Sequence, residues 1–179
     1  MGQAEDAVAL LRSLGAAELD HPGGTLLAHL ERVRLLLASW GARPDLQLAG
    51  LCHACYGTDG FATALLPLSA RPRLAQVVGT AAEQLVYEYA SCERSLTYRQ
   101  LTLADGTFRD RFTGTDLLPD RRQRQDFAEL TVANELDVLR HSDELRERWG
   151  ASLGRLFTGF GPLLSEPARA AVRQTLGGP

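Results

Sequence analysis

Residues 21–60, HPGGTLLAHLERVRLLLASWGARPDLQLAGLCHACYGTDG, decide the fold. They read as two consecutive helices separated by a break at Gly41 to Pro44. Thr25 is an N-cap residue, and Leu26, Leu30, Val33, Leu36, Leu37 and Trp40 recur at the three-and-four spacing of an amphipathic helix. His29 falls inside that stripe, away from the side carrying Glu31, Arg32 and Arg34. Gly41 stops the first helix and Pro44 opens the second. The second carries Leu48, Leu51, Cys52 and Cys55 inward and runs toward Tyr56, with Gly57 as its stop. Ala49 and Gly50, one turn before His53, leave room for a close helix or a ligand. His29 and His53 lie on different helices, so they meet only if the helices fold back on each other. The polar run Tyr56-Gly57-Thr58-Asp59-Gly60 at the end of an apolar helix marks where a pocket would open, because polar groups are costly to bury without partners.

Composition sets the bounds. With 179 residues, 45% hydrophobic and 23% charged, the chain has material for one sizeable core and reads as a single domain over residues 1–179. A formal charge of -3 gives no long-range attraction for nucleic acid. The densest basic cluster, Arg121, Arg122 and Arg124, reads as a solvated helix start. No apolar run approaches the roughly 20 residues of a membrane helix. The opening MGQAEDAVALL lacks the basic region and cleavage pattern of a secretory signal, and Asp6 stands where a myristoylation motif prefers Ser or Thr. The expectation is a cytoplasmic protein with a small-molecule substrate and neither nucleic-acid nor membrane partners. A homo-oligomer stays open, since a long apolar helix face can pack internally or across a two-fold interface. Cys52, Cys55 and Cys92 indicate no disulfide framework; at helical spacing, Cys52 and Cys55 read as small core residues.

Along the rest of the chain, a helix is expected from Ala4 to Leu14. Residues 72–78 read as helical turns closed by Gly79, and Thr80 with Glu83 forms a capping box into AAEQLVYEYAS. The period then changes: LTYRQLTLADGTFRDRF, residues 96–112, reads as a hairpin about Asp105-Gly106. Gly114 to Pro119 reads as a loop. A long helix follows in DFAELTVANELDVLRHS, its inward face carrying Phe127, Leu130, Asn134, Val138 and His141, with Asp137 beside it. Asn134 is unfavourable in a helix interior, so the core or a site must hold its amide. Helices at Asp143 to Leu156 and, after a Ser165 cap, Glu166 to Leu176 complete the chain. The tail Gly177-Gly178-Pro179 is expected to fray. The class is all-α with a small β-hairpin excursion.

These motifs resemble the HD-domain superfamily, most specifically the hydrolase domain of the bifunctional enzymes that make and destroy guanosine tetraphosphate. The resemblance spans residues 20–142. His29 in LLAHLERV falls on the family's first metal ligand, and His53 in AGLCHACYGT on the histidine of its His-Asp pair. Gly79 with AAEQLV is similar to the family's Phe-Gly segment, and Ala133-Asn134-Glu135-Leu136 falls on its last motif. The chain also resembles an uncharacterised HD-like family with a His-Ser-x-Tyr-Gly-Thr signature. What the resemblance implies is an HD-like helical bundle binding one divalent ion, Mn, Fe or Zn, through His29, His53 and Asn134. Ala54 and Asn134 replace two metal-binding aspartates, and Gly57 and Thr58 replace the acidic pair that activates water. A hard ion then needs carboxylates from elsewhere, for which Asp59, Glu83 and Asp137 are candidates.

Three functions fit these residues. The first is a metal-dependent hydrolase of a small polar or phosphorylated substrate, with Asp59 or Glu83 as base for a metal-bound water. The second is a non-hydrolytic isomerase, cyclase, lyase or oxygenase in which His21, His53, Tyr56, Asp59 and Glu83 supply acid, base and hydrogen-bond roles. The third is a non-catalytic ligand-binding protein, in which the Arg-rich segment from Arg109 through Arg124 could take an anion. His21, ahead of the first helix, is placed to reach the mouth of the same pocket.

Overall fold

The structure is a computed structural model and describes residues 2–177; the last two residues of the expected fraying tail lie outside it. Among the described residues the chain is mostly helical, with two small antiparallel strand pairs. Helix α1 (Gln3–Ser13) is followed by strands β1 (Asp20–His21) and β2 (Gly24–Thr25), then α2 (Leu26–Ser39) and α3 (Pro44–Cys52). Helices α4 (Arg71–Val78), α5 (Thr80–Ser91) and the single turn α6 (Arg94–Thr97) lead to strands β3 (Phe108–Asp110) and β4 (Thr115–Leu117). Helices α7 (Arg121–Arg140), α8 (Asp143–Phe160) and α9 (Glu166–Leu176) close the fold.

Local chemistry explains most boundaries. Thr25 caps α2 by accepting from the Ala28 N–H, and Gly41 follows the helix at a φ of 76°. Pro44 occupies the first turn of α3, where its missing N–H costs nothing. That helix ends at Cys52, earlier than expected, and His53 to Tyr56 continues as turns, with Gly57 at a φ of 69°. Asp120 and Gln123 form a reciprocal capping box at the start of α7, and Ser165 caps α9. Helix α8 runs through Gly159 to Phe160, four residues past the expected end.

Helix α7 is the axis of the molecule, packing against α2, α3, α5, α8 and α9. The core gathers Leu30, Val33, Leu37, Leu51, Val86, Leu130 and Leu136, all buried. The room left by Gly50 is filled by a helix: a Cβ there would lie 2.5 Å from a Leu37 methyl, so α2 and α3 approach closely at that turn. Cys52, Cys55 and Cys92 are free and buried, as small core residues.

The hairpin excursion exists, but its turn falls at residues 111–114 and not at Asp105-Gly106. β3 pairs with β4, with Asp110 opposite Thr115, and the turn is Arg111 to Gly114. The Asp110 carboxylate accepts from the N–H groups of Phe112 and Thr113 and so folds that turn itself. Asp105-Gly106 instead lies in a compact loop. Arg124 is buried there, reaching the carbonyls of Leu103, Ala104, Gly106 and Pro119. It is therefore a loop clamp, in contrast to the exposed Arg121 and Arg122, and it is not available to bind an anion as the sequence pattern allowed.

Candidate functional site

His29 and His53 come together because α2 and α3 form an antiparallel pair across the Gly41 to Pro44 turn. Their ring centroids are 5.3 Å apart, edge to face. Helix α7 adds Asn134 and Asp137 from the opposite side. The His29 ring is held at both nitrogens: Nδ1 lies 2.7 Å from Asp137 Oδ2 and Nε2 lies 3.0 Å from Asn134 Oδ1. Nδ1 donates to the ionised carboxylate, and Nε2 meets the amide on its Oδ1 side, so the ring is clamped between α2 and α7. The Asn134 orientation agrees with this, since its Nδ2 reaches Glu135 Oε1 at 3.3 Å. The helix-unfavourable Asn134 is thus held by the site.

Asp137 is the hub behind the histidine. Arg32 donates to it from Nε at 2.8 Å and from Nη2 at 2.9 Å, a bidentate pair. Burial works against the Asp137 charge, but the hydrogen bonds from His29 and Arg32 outweigh it and hold the carboxyl below its ordinary range. Arg32 also donates to the carbonyls of Pro22 and Gly23, fastening the turn between β1 and β2. That turn carries His21, which stacks on His29 with centroids 4.1 Å apart. Gly23 is required there: a side chain would meet the His141 ring at 2.7 Å. His141 itself sits at the end of α7, bonded to the Asp137 carbonyl.

His53 faces a different partner set. Its Nδ1 donates to the Gly50 carbonyl at 2.8 Å, which fixes the tautomer and leaves Nε2 as the nitrogen without a proton. Burial, with the His29 charge second, lowers its pKa to about 3. His21 is lowered to about 4 by the same two causes in the same order. Both rings are neutral near pH 7.

These groups form one end of a cavity of about 580 Å³. His21, His53, Asn134, Arg94, Glu135 and Tyr98 supply its polar end, and Ala54 and Thr58 also line it. Leu26, Phe61, Val138, Leu145, Trp149 and Leu153 supply an apolar wall between α2, α7 and α8. Arg94 and Glu135 form an ion pair at 3.0 Å. Tyr98, Arg94 and Trp149 are contributions the sequence pattern did not single out. Arg94 and Tyr98 enter on the short α6, which has no periodicity to reveal it, and Trp149 lies on a face of α8 left open by α7.

Three residues expected at the site lie elsewhere. Glu83 neither caps α5 nor faces the cavity; it accepts from Arg71 at 2.7 and 2.9 Å and from the Tyr56 hydroxyl at 2.9 Å. A buried carboxylate needs its charge matched, and Arg71 at the start of α4 is the cation in reach. Tyr56 is consumed by the same cluster, and burial with the Glu83 bond pushes its pKa far above the usual value. Asp59 is exposed and accepts from the Arg94 backbone N–H at 2.9 Å, holding the start of α6.

A divalent ion does not suit this donor set. His29 would have to give up its Asn134 contact before Nε2 could ligate, Ala54 offers no donor, and Asp137 is already bound to His29 and Arg32. Among the described residues, no group of three or more His, Cys, Asp and Glu side chains is placed to hold a metal ion.

A family described as a domain of unknown function (DUF6817) matches residues 10–94. The match includes His21, His29 and His53 and stops before Asn134 and Asp137. No curated protein and no solved structure matches the chain. No helix among the described residues is long and apolar enough to cross a membrane.

Proposed function

We propose that the chain is an HD-like protein that has become a metal-independent, non-hydrolytic small-molecule enzyme, with His53 Nε2 accepting a proton from a carbon next to a carbonyl. The observation that carries this reading is the locked His53 tautomer at the polar end of a cavity large enough for a small organic molecule. In the step, a C–H bond breaks, its proton moves to Nε2, and the electron pair passes to the carbonyl oxygen as an enolate. Tyr98 and Arg94, which line the same end, are the donors for that oxygen. An oxyanion forming nearby supplies the counter-charge that raises the basicity of His53 as the proton moves. Return of the proton at a different atom gives isomerisation, and loss of a leaving group gives a lyase.

Deuterium incorporation from D2O into the α-carbons of ketones, followed by NMR, tests the step. The wild-type protein is expected to catalyse it. His53→Gln is expected to lose on the order of 10²- to 10⁴-fold. An unchanged rate in that variant removes His53 from the chemistry, and saturable binding without exchange returns the protein to a binding role.

A metal-dependent hydrolase is a second reading, favoured by one observation: a carboxylate hydrogen-bonded to a histidine is the arrangement that orients a metal-ligating imidazole. Metal analysis of protein purified without chelator separates the two. Clearly substoichiometric Mn, Fe and Zn, with no gain of phosphatase activity on adding them, is the expected result; one tightly held ion per chain would favour the hydrolase.

A further inference from the structure

We infer that the cavity takes an uncharged amphipathic carbonyl or hydroxyl compound, its oxygen at the Tyr98 end and its hydrocarbon body against the α8 wall, and excludes phosphorylated and other anionic molecules. The inference rests on the proton-transfer reading and names its substrate class.

Charge is the first argument. Among the described residues lining the cavity, Arg94 is the one arginine or lysine; it pairs with Glu135, and Asp20 is a second lining carboxylate. Beneath the floor, Arg32 and the His29 ring face Asp137. Arg94 and Arg32 are outnumbered at and under the floor by Asp20, Glu135 and Asp137. A phosphate dianion, normally met by guanidinium forks, ammonium groups or a helix N-terminus, finds no spare positive charge here. The lowered pKa values of His21 and His53 fit the same picture, since burial has made a cation costly at the cavity end.

Unmet hydrogen bonds are the second argument. Five buried side-chain nitrogen or oxygen atoms lack a partner among the described residues, and three of them lie at this end: His21 Nδ1, the Tyr98 hydroxyl and the Tyr89 hydroxyl. Tyr98 and His21 line the cavity, and Tyr89 packs edge-on against His53 with centroids 5.4 Å apart. Buried polar atoms of native proteins are almost always paired, so such a concentration marks where a ligand's polar atoms belong. Neutral donors and acceptors suit a carbonyl or hydroxyl oxygen. The third argument is the opposite wall, where Leu145, Leu153, Val138 and the half-exposed Trp149 offer only hydrocarbon and an aromatic face.

Four probes with one body separate the possibilities: cyclohexylacetone, cyclohexylacetate, cyclohexylmethyl phosphate and 2-cyclohexylethylamine, titrated calorimetrically into the full chain. The ketone is expected to bind at least about tenfold more tightly than each charged probe. Tyr98→Phe removes a hydroxyl that makes no bond within the protein, so the fold is retained, and ketone affinity should fall about 3- to 10-fold. Leu153→Trp, which fills the apolar wall, should abolish binding of the ketone while thermal unfolding confirms that the chain is folded. Tighter binding of the carboxylate, phosphate or ammonium probe, no effect of Tyr98→Phe, or no saturation by the ketone up to ~5 mM overturns the inference. The two proposals fail separately. Ketone binding without His53-dependent deuterium exchange sinks proton transfer and leaves the ligand class standing, whereas His53-dependent exchange in an anionic ketone together with tighter anion binding does the reverse.

Discussion

Asp137→Ala is expected to destabilise the protein by on the order of 3–5 kcal/mol, the cost typical of removing one partner from a buried charged network. Asp137 is almost fully buried and is the acceptor for His29 at 2.7 Å and for both Arg32 donors. Its removal leaves the Nδ1 donor of His29 without an acceptor deep in the core, beside a guanidinium that has lost its counter-charge. The turn carrying His21 also loosens, because Arg32 reaches the Pro22 and Gly23 carbonyls from the position that Asp137 fixes. Urea titration measures the loss. A second variant, His29→Leu with Asp137→Ala, should recover part of it, since no buried ring donor is then stranded and only the part-exposed Arg32 lacks its partner; the double-mutant cycle isolates the coupling. A loss below about 1 kcal/mol, ordinary for an exposed ion pair, would show that the network is wetter than its geometry indicates.

The helices were legible because their signals are local. The apolar stripe of α2, the Thr25 cap and the Pro44 start each depend on residues within a turn or two, and all appear where the sequence puts them. The hairpin shows where local reading stops. Asp105-Gly106 is a strong turn signal, but a hairpin also needs two flanking strands in register, and Arg124 of α7 gathers the surrounding carbonyls into a loop instead. Strand pairing moved to Phe108–Asp110 with Thr115–Leu117, where the Asp110 side chain folds the turn. The short β1 and β2 had no signal beyond Pro22-Gly23-Gly24, since two residues per strand carry no period.

The floor of the site was legible for a different reason: His29, His53 and Asn134 were polar residues on apolar faces, and such residues must find one another or something else to pair with. The structure brings all three together. What could not be read was the identity of the carboxylate partners. Glu83 and Asp137 looked equivalent in sequence, each near an inward face. Arg71 lies within reach of Glu83 and claims it, while Arg32, read as a solvent-side residue of α2, turns inward to claim Asp137. Long arginine side chains cross between helix faces, so periodicity misplaces their charged ends.

Acid should weaken the fold well before ordinary carboxylates titrate, and His53 is the reason. Its ordinary pKa of 6.5 applies in the unfolded chain, and in the folded chain it is lowered to about 3. Between those values the unfolded state binds a proton that the folded state refuses, so stability rises with pH across this window. The contribution is complete above pH 6.5 and is lost progressively as pH falls toward 3, amounting to on the order of 4 kcal/mol for a fully buried imidazole. The groups facing the ring explain why it cannot relax: the His29 ring from α2, neutral His21 from β1 and the Tyr89 ring from α5, with Asn134 from α7. None offers a carboxylate. Asp137 opposes folding in acid as well, but lower, since its depressed carboxyl is protonated only below its ordinary range. Urea midpoints measured from pH 7.5 to pH 4 should therefore fall steadily from about pH 6.5, and His53→Gln, which has no proton to refuse, should make that fall shallower, the remainder coming from His21, lowered from 6.5 to about 4. A wild-type midpoint constant down to pH 4.5, or a His53→Gln profile with the same slope, would mean that His53 is charged in the folded protein and that its Nε2 is not the proton acceptor.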